Sequence, residues 1–112
     1  MNTETNPFHM QWATPDLQAE EQMVYFCRAN EILTDAVFMK GGLWITNQRI
    51  LFVTHPLNVT SYHWEIRREQ LRSITLVNFW IFPRGVRIET MDGEQRHIAI
   101  WRRRFVQQLL KK

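Results

Sequence analysis

Between Gly41 and Thr54 the chain reads GGLWITNQRILFVT, and this stretch leaves little choice of local structure. Two apolar, β-rich runs, Leu43 to Ile45 and Ile50 to Val53, flank a polar Asn47–Gln48 corner. Runs of this kind separated by two turn-forming residues read as a tight β-hairpin. Asn tolerates the positive φ that two-residue hairpin turns demand, whereas Gln48 is a poorer second residue than Gly, so the turn type stays open. Leu43, Ile45 and Phe52 are expected to face the core. No catalytic side chain lies within the hairpin.

The rest of the chain continues in the same period. From Gln22 to Asn30 a first strand fits, although a helix over Pro15 to Ile32 matches the pattern as well. Beyond a Pro56–Asn58 loop, Tyr62, Trp64 and Ile66 alternate with His63, Glu65 and Arg67, as in a strand with one buried face. Ile74 to Phe79 reads as a fifth strand, and Pro83–Arg84–Gly85 as a turn. Val86, Ile88 and Thr90 then alternate with Arg87, Glu89 and Met91. Asp92–Gly93 is a hairpin signal leading into Gln95 to Trp101. The C-terminal RRRFVQQLLKK places Phe105, Val106, Leu109 and Leu110 on one helical stripe. Seven short strands and one closing helix are expected. Residues 1–15 form a polar arm that Phe8, Met10 and Trp12 could dock, and residues 16–112 form one domain.

A domain of 112 residues buries enough surface to fold without a disulfide or a metal. The lone Cys27 lies in an apolar stretch and reads as a small buried side chain, which suits a reducing cytoplasm. The first twenty residues lack an apolar run, so no signal peptide is expected. The most apolar window, Ile74 to Phe82, is too short to span a bilayer. A soluble cytoplasmic chain is therefore expected, with peripheral membrane association as its second location. Charge is unevenly spread: through Ile66 there are three basic residues against seven acidic, and from Arg67 onward eleven against four. That split points to an anionic partner for the second half, unless the halves interleave in space and cancel.

The ordered motifs resemble those of the GRAM and bacterial pleckstrin-homology-like families. The shared pattern runs through Gly42, Leu43, Thr46, Arg49, Ile50 and Phe52, then the Leu71–Ile74 step. It ends in the Ile88, Thr90, Asp92, Gly93 hairpin and the closing helix. The resemblance implies a mainly β fold, a partly open barrel of about seven antiparallel strands capped by a C-terminal α-helix, with Trp101 at the plug. Such modules bind phosphoinositides or protein segments, and their phosphoinositide binders use a basic set on the first two strands and their loop. Here that stretch holds only Arg28 and Lys40, at its ends, with Glu31 and Asp35 between them. Anion binding is expected instead on the second half.

Catalytic chemistry finds no support in the motifs. His9, His55, His63 and His97 lack metal-ligand spacing, and one cysteine completes no zinc set. His63 and Glu65 share a strand face and could share a site, but two solvated residues are much the commoner reason for such a pair. Phosphate loops, nucleophile elbows and paired carboxylates are missing, so an enzyme and a cofactor are not expected. Eleven of the fourteen basic residues are arginine, whose planar fork suits phosphate or carboxylate. Arg67, Arg68, Arg72, Arg84, Arg87, Arg102, Arg103 and Arg104 are the candidate anion ligands. Arg102 to Arg104 also stand where a helix begins, and positive charge there opposes the helix dipole. Phe79, Trp80 and Phe82 are candidates for membrane or partner contact if their loop is exposed. The expected function is a non-catalytic module recruiting an anionic lipid surface or an acidic protein segment. Homo-oligomerisation through strand edges or the Trp80 loop is the second reading, and nucleic-acid binding the third.

Overall fold

Seven strands precede a single helix: β1 (Met23–Thr34), β2 (Val37–Thr46), β3 (Arg49–Thr54), β4 (His63–Arg67), β5 (Leu71–Val77), β6 (Gly85–Thr90), β7 (Gln95–Ala99) and α1 (Arg103–Leu110). The computed structural model describes residues 15–34, 37–54, 63–79 and 82–111. The strands form one antiparallel sheet in the order β4-β3-β2-β1-β7-β6-β5. β1 is the hinge of this sheet. It pairs with β2 along nearly its whole length but with β7 only through Asn30↔Ala99 and Glu31↔Ile98. Register irregularities near both ends of β1 bend the strand, as bulges do, so that it serves both halves of the sheet. β4 and β5 are the two edge strands and, among the described residues, do not pair with each other, which leaves the barrel partly open.

Alternation decides what fills it. Leu43, Ile45, Ile50, Phe52, Trp64 and Ile66 line one side of the hairpin sheet, and Val86, Ile88, Ile98 and Ile100 face them from the other half. Phe52 stacks on Trp64 with ring centroids 5.7 Å apart. Val106 and Leu110 of α1 are fully buried against this core, while Leu109 is half-buried and Phe105 lies edge-on to Tyr25 at 4.9 Å. The helix thus plugs the barrel through two of its four stripe residues. Gly41 is required by close packing: a Cβ there would sit 2.5 Å from the Val53 carbonyl and 2.6 Å from the Phe52 ring. Gly93 adopts φ 91° in the turn between β6 and β7, where its amide donates to the Thr90 carbonyl at 3.0 Å.

Several expectations need revision. A helix over Pro15 to Ile32 does not form, and β1 runs on to Thr34 because β2 offers it partners that far. The fifth strand starts at Leu71, since a single 3-10 turn at Arg68–Gln70 makes the corner from β4 directly. β7 stops at Ala99, and Trp101 is 77% exposed rather than part of the plug. The β2–β3 turn does not use positive φ at Asn47; among the described residues the one non-glycine position there is Glu20 (φ 62°). The Thr46 hydroxyl holds that turn instead, accepting from the amides of Gln48 and Arg49, each at 3.0 Å. Residues 1–14 of the N-terminal arm, the Pro56–Asn58 loop, Tyr62 and Trp80 lie outside the described residues.

Candidate binding site

The Thr46/Arg49 pair of the hairpin motif builds a clasp rather than a ligand site. Thr46 donates its hydroxyl proton to Glu21 Oε2 at 2.5 Å, so with its two accepted amides every hydrogen-bonding position of the hydroxyl is used. Arg49 donates Nε to Glu21 Oε2 at 2.8 Å and Nη2 to Glu21 Oε1 at 3.1 Å, a two-pronged pair. Its remaining donors reach Glu65 Oε1 at 3.0 Å and the Asp16 carbonyl at 2.7 Å. Both members of the central pair are buried. The Arg49 guanidinium, with help from Thr46 and the Gln18 amide, outweighs burial and holds the Glu21 carboxyl down at about 2. Asn47 completes the clasp: its Oδ1 accepts from the Gln22 amide at 2.7 Å and its Nδ2 donates to the Glu20 carbonyl at 3.1 Å. Glu65 is therefore engaged with Arg49, and His63 beside it is exposed, so the two do not share a site.

The candidate arginines divide by partner. Arg67 pairs with Glu69 at 3.0 Å and also reaches Gln18 Oε1 at 3.1 Å. Arg68 donates to the Thr46 carbonyl at 3.3 Å and to the Leu109 carbonyl at 3.1 Å, joining the hairpin turn to the last turn of α1. Arg103 donates to the Val77 carbonyl at 2.6 Å and Asn78 Oδ1 at 2.7 Å, fastening the start of α1 to the end of β5. Arg102 lies over the Phe105 ring, 4.4 Å from its centroid. Intramolecular contacts thus offset the unfavourable dipole at this helix start for two of its three arginines. Arg72 and Arg104 are exposed, and Arg87 is half-buried across from His97. Burial, aided by the Arg87 charge, lowers the His97 pKa below 6.5. Of the eight candidates, Arg67, Arg68 and Arg103 are thus engaged with oxygens of the chain itself.

A pocket of about 560 Å³ forms elsewhere, where the outer side of β1 and β2 meets the β5–β6 loop and the β7–α1 junction. Arg28 and Asn30 come from β1, Lys40 and Gly41 from β2, Phe82, Pro83 and Arg84 from the loop, and Ala99, Ile100 and Trp101 from the junction. Register explains the first two cations. Asn30 pairs with Lys40 and Arg28 with Gly42, so Arg28 and Lys40 are diagonal neighbours although twelve positions apart in sequence. Glu31, one of the two acidic residues between them in sequence, points into the barrel. There it accepts from Trp64 Nε1 at 3.0 Å and from Arg96 Nη1 at 3.2 Å. Arg84 lies over the exposed Trp101 ring at 4.6 Å, and no carboxylate stands among the described lining residues.

Of the aromatic candidates that are described, Phe82 lines this pocket and Phe79 does not. Phe79 is half-buried and lies edge-on to His97 at 6.0 Å, and Phe82 packs edge-on against Phe38 at 4.9 Å. Beside Phe38, at the far end of the β1–β2 ladder, Leu33 and Val37 are 47% and 49% exposed. Of the candidate anion ligands, only Arg84 belongs to the pocket. Arg28, Lys40 and Trp101 line it without belonging to the arginine set that the sequence singles out. The available signal was the hairpin register, which places two outward cations together once the strands are aligned.

Burial pushes the Cys27 thiol up to about 12, which leaves it protonated and a poor nucleophile at neutral pH. Among the described residues no group of three His, Cys, Asp or Glu side chains could hold a metal, and no helix is long and apolar enough to cross a membrane. No family model and no curated protein matches the sequence. The fold is similar to that of solved structures, among them the following two. One is the C-terminal domain of an unknown protein from Leishmania infantum, with a TM-score of 0.67 and 15% identity, covering 82% of this chain and 83% of that one. The other is an N-terminally truncated linker-DH/PH structure of p115-RhoGEF, with a TM-score of 0.65 and 7% identity. That match covers 96% of this chain but 32% of the other. The fold is pleckstrin-homology-like. At such low identities the likeness extends to architecture, and the pocket has to be interpreted from its own residues.

Proposed function

We propose that this chain is a non-catalytic binding module that recruits an anionic membrane surface. The observation that carries this reading is the continuity of two features at one end of the β1–β2 ladder. Exposed Leu33, Val37 and Phe38 stand beside a pocket bearing Arg28, Lys40 and Arg84, joined to it by the Phe38–Phe82 contact. Apolar side chains next to cations match the layering of a bilayer surface, where hydrocarbon lies just beneath negatively charged head groups. The exposed Trp101 ring suits the same boundary. Membership of the GRAM or bacterial pleckstrin-homology-like group is part of this proposal. Its support is the ordered motif set and the buried use made of Thr46 and Arg49.

Co-sedimentation with phosphatidylcholine vesicles, with and without phosphatidylserine, tests the reading at low and moderate salt. The chain should bind the anionic vesicles and release them as salt rises. Val37→Asp with Phe38→Asp should weaken binding about tenfold or more, because the apolar contact is lost and two like charges face the surface. Equal sedimentation with neutral and anionic vesicles would remove the membrane reading and leave an acidic protein segment as the partner to pursue.

A further inference from the structure

We propose that the outer face of the β1–β2–β3 sheet is a docking site for a short extended segment with apolar side chains at every second position. The segment seated on it is residues 7–12 of the same chain. Nothing in this site depends on anionic lipid.

Alternation sends Leu43, Ile45, Ile50 and Phe52 into the barrel, so the residues between them face outward. Pairing aligns four outward residues in one row across the sheet: Phe26↔Trp44, Trp44↔Leu51 and Leu51↔Glu65. The outer face of a sheet with one buried side ordinarily meets water and is polar. Here Trp44 and Leu51 are 8% and 6% exposed, yet neither belongs to the barrel core. Phe26 packs on Trp44 from one side, with ring centroids 4.1 Å apart. Trp44 Nε1 is buried with no hydrogen-bond partner among the described residues, whereas the Trp64 indole inside the barrel donates to Glu31. Buried indole N–H groups ordinarily find an acceptor, and an extended segment laid across the row offers backbone carbonyls.

The place where the arm joins the body selects the occupant. Side chains of the hairpin turn pin the chain just after the arm: Arg49 donates to the Asp16 carbonyl at 2.7 Å, Gln48 to the Ala19 carbonyl at 2.9 Å and Asn47 to the Glu20 carbonyl at 3.1 Å. Arg49 and Leu51 stand two residues apart on one face of β3, about 7 Å, so Asp16 is held beside the row. From Leu51 to Phe26 the row crosses two strand spacings, about 10 Å. An extended chain advances about 3.3 Å per residue, so from Asp16 it reaches about 13 Å by Trp12 and about 26 Å by Phe8. Those reaches cover the row from Leu51 to Phe26. The arm reads Pro7-Phe8-His9-Met10-Gln11-Trp12. When extended, it carries Phe8, Met10 and Trp12 on one side and His9 and Gln11 on the other. The charged side chain of residues 1–14 is Glu4, outside this hexapeptide, so docking it desolvates no carboxylate.

Hydrogen exchange and NOE spectra of the full chain read the site directly, with the Trp44 indole N–H identified by its loss in Trp44→Phe. The parent chain should show slow exchange at that N–H and cross-peaks from the indole to residues 8–12. Phe8→Ser combined with Trp12→Ser should speed exchange of the Trp44 N–H about tenfold or more, while the strand amides of β2 and β3 stay protected. The Val37→Asp, Phe38→Asp chain, altered at the far end of the β1–β2 ladder, should keep the slow exchange. In the reverse direction, Trp44→Ala should let chymotrypsin cut after Phe8 and Trp12 about tenfold faster than in the parent. Circular dichroism confirms that each variant folds, and Leu51→Asn replaces Trp44→Ala in the protease test if the latter does not.

Fast exchange at the Trp44 N–H of the parent chain overturns the proposal, as does unchanged exchange when Phe8 and Trp12 are both replaced. Equal cutting of the parent and the sheet variant does the same. Protection that falls on dilution, together with a dimer in sedimentation velocity, makes a second copy the occupant and refutes docking within one chain. Loss of vesicle binding with the Trp44 readouts intact removes the membrane reading and leaves this site standing.

Discussion

Replacing Glu21 with Gln isolates the clasp that the Thr46/Arg49 motif builds. The wild-type carboxyl is held at about 2 against an ordinary 4.5, mainly by the Arg49 guanidinium. Each pKa unit corresponds to about 1.4 kcal/mol, so the interaction is worth at most about 3 kcal/mol at neutral pH. Removing one partner of a buried ion pair costs about 3–5 kcal/mol, and here the lower end applies because Arg49 keeps Glu65 and the Asp16 carbonyl. Gln retains the shape and one acceptor, so Glu21→Gln should destabilise by about 2–3 kcal/mol at pH 7. The folded-state value lies below the unfolded one. Wild-type stabilisation is therefore complete above about pH 5 and disappears as pH falls through about 2. Urea unfolding followed by tryptophan fluorescence at pH 7, 4 and 2.5 gives both curves. Their gap should be largest at pH 7 and shrink steadily toward pH 2.5. A constant gap across that range, or coincident midpoints at pH 7, would refute the assignment of Glu21 as the charged partner of Arg49.

Three further outcomes follow from named contacts. Gly41→Ala should lower stability by about 1–3 kcal/mol in urea, because the new methyl meets the Val53 carbonyl and the Phe52 ring; an unchanged midpoint would show that β2 and β3 can separate there. Arg103→Ala should cost about 1–3 kcal/mol by freeing the start of α1 from Val77 and Asn78, whereas Arg104→Ala should stay within about 0.5 kcal/mol. The two variants compared by thermal melts provide the check, and equal losses would contradict it. Cys27, with its thiol at about 12, should react slowly with a disulfide reagent in native buffer and rapidly in urea. Equal rates in the two conditions would place the thiol at the surface.

Much of the barrel could be read from the period of two. Leu43, Ile45 and Phe52 face inward as alternation requires, and the two apolar runs lie within β2 (Val37–Thr46) and β3 (Arg49–Thr54). The corner at Arg68–Gln70 was not legible, because a 3-10 turn needs no Gly or Pro and its residues look like any polar stretch. Trp101, at the join of the last strand and the helix, is expected at the plug. The strand ends two residues earlier, and the ring is left outside under Arg84.

The sequence by itself determined the strands, their inward faces and the closing helix, since side-chain direction along a strand or helix follows from local geometry alone. Only the tertiary structure decided which cations are tied to distant oxygens and which gather around one pocket. Arg49, Arg68 and Arg103 are absorbed by carboxylates and carbonyls distant in sequence, which no local pattern reveals. Arg28 and Lys40 meet because antiparallel pairing folds the chain back on itself, and Arg84 joins them because the bent β1 carries the second half of the sheet around to the same place. Charge is a property of the residue, but a charged site is a property of distances, and those are set by pairing across the whole chain.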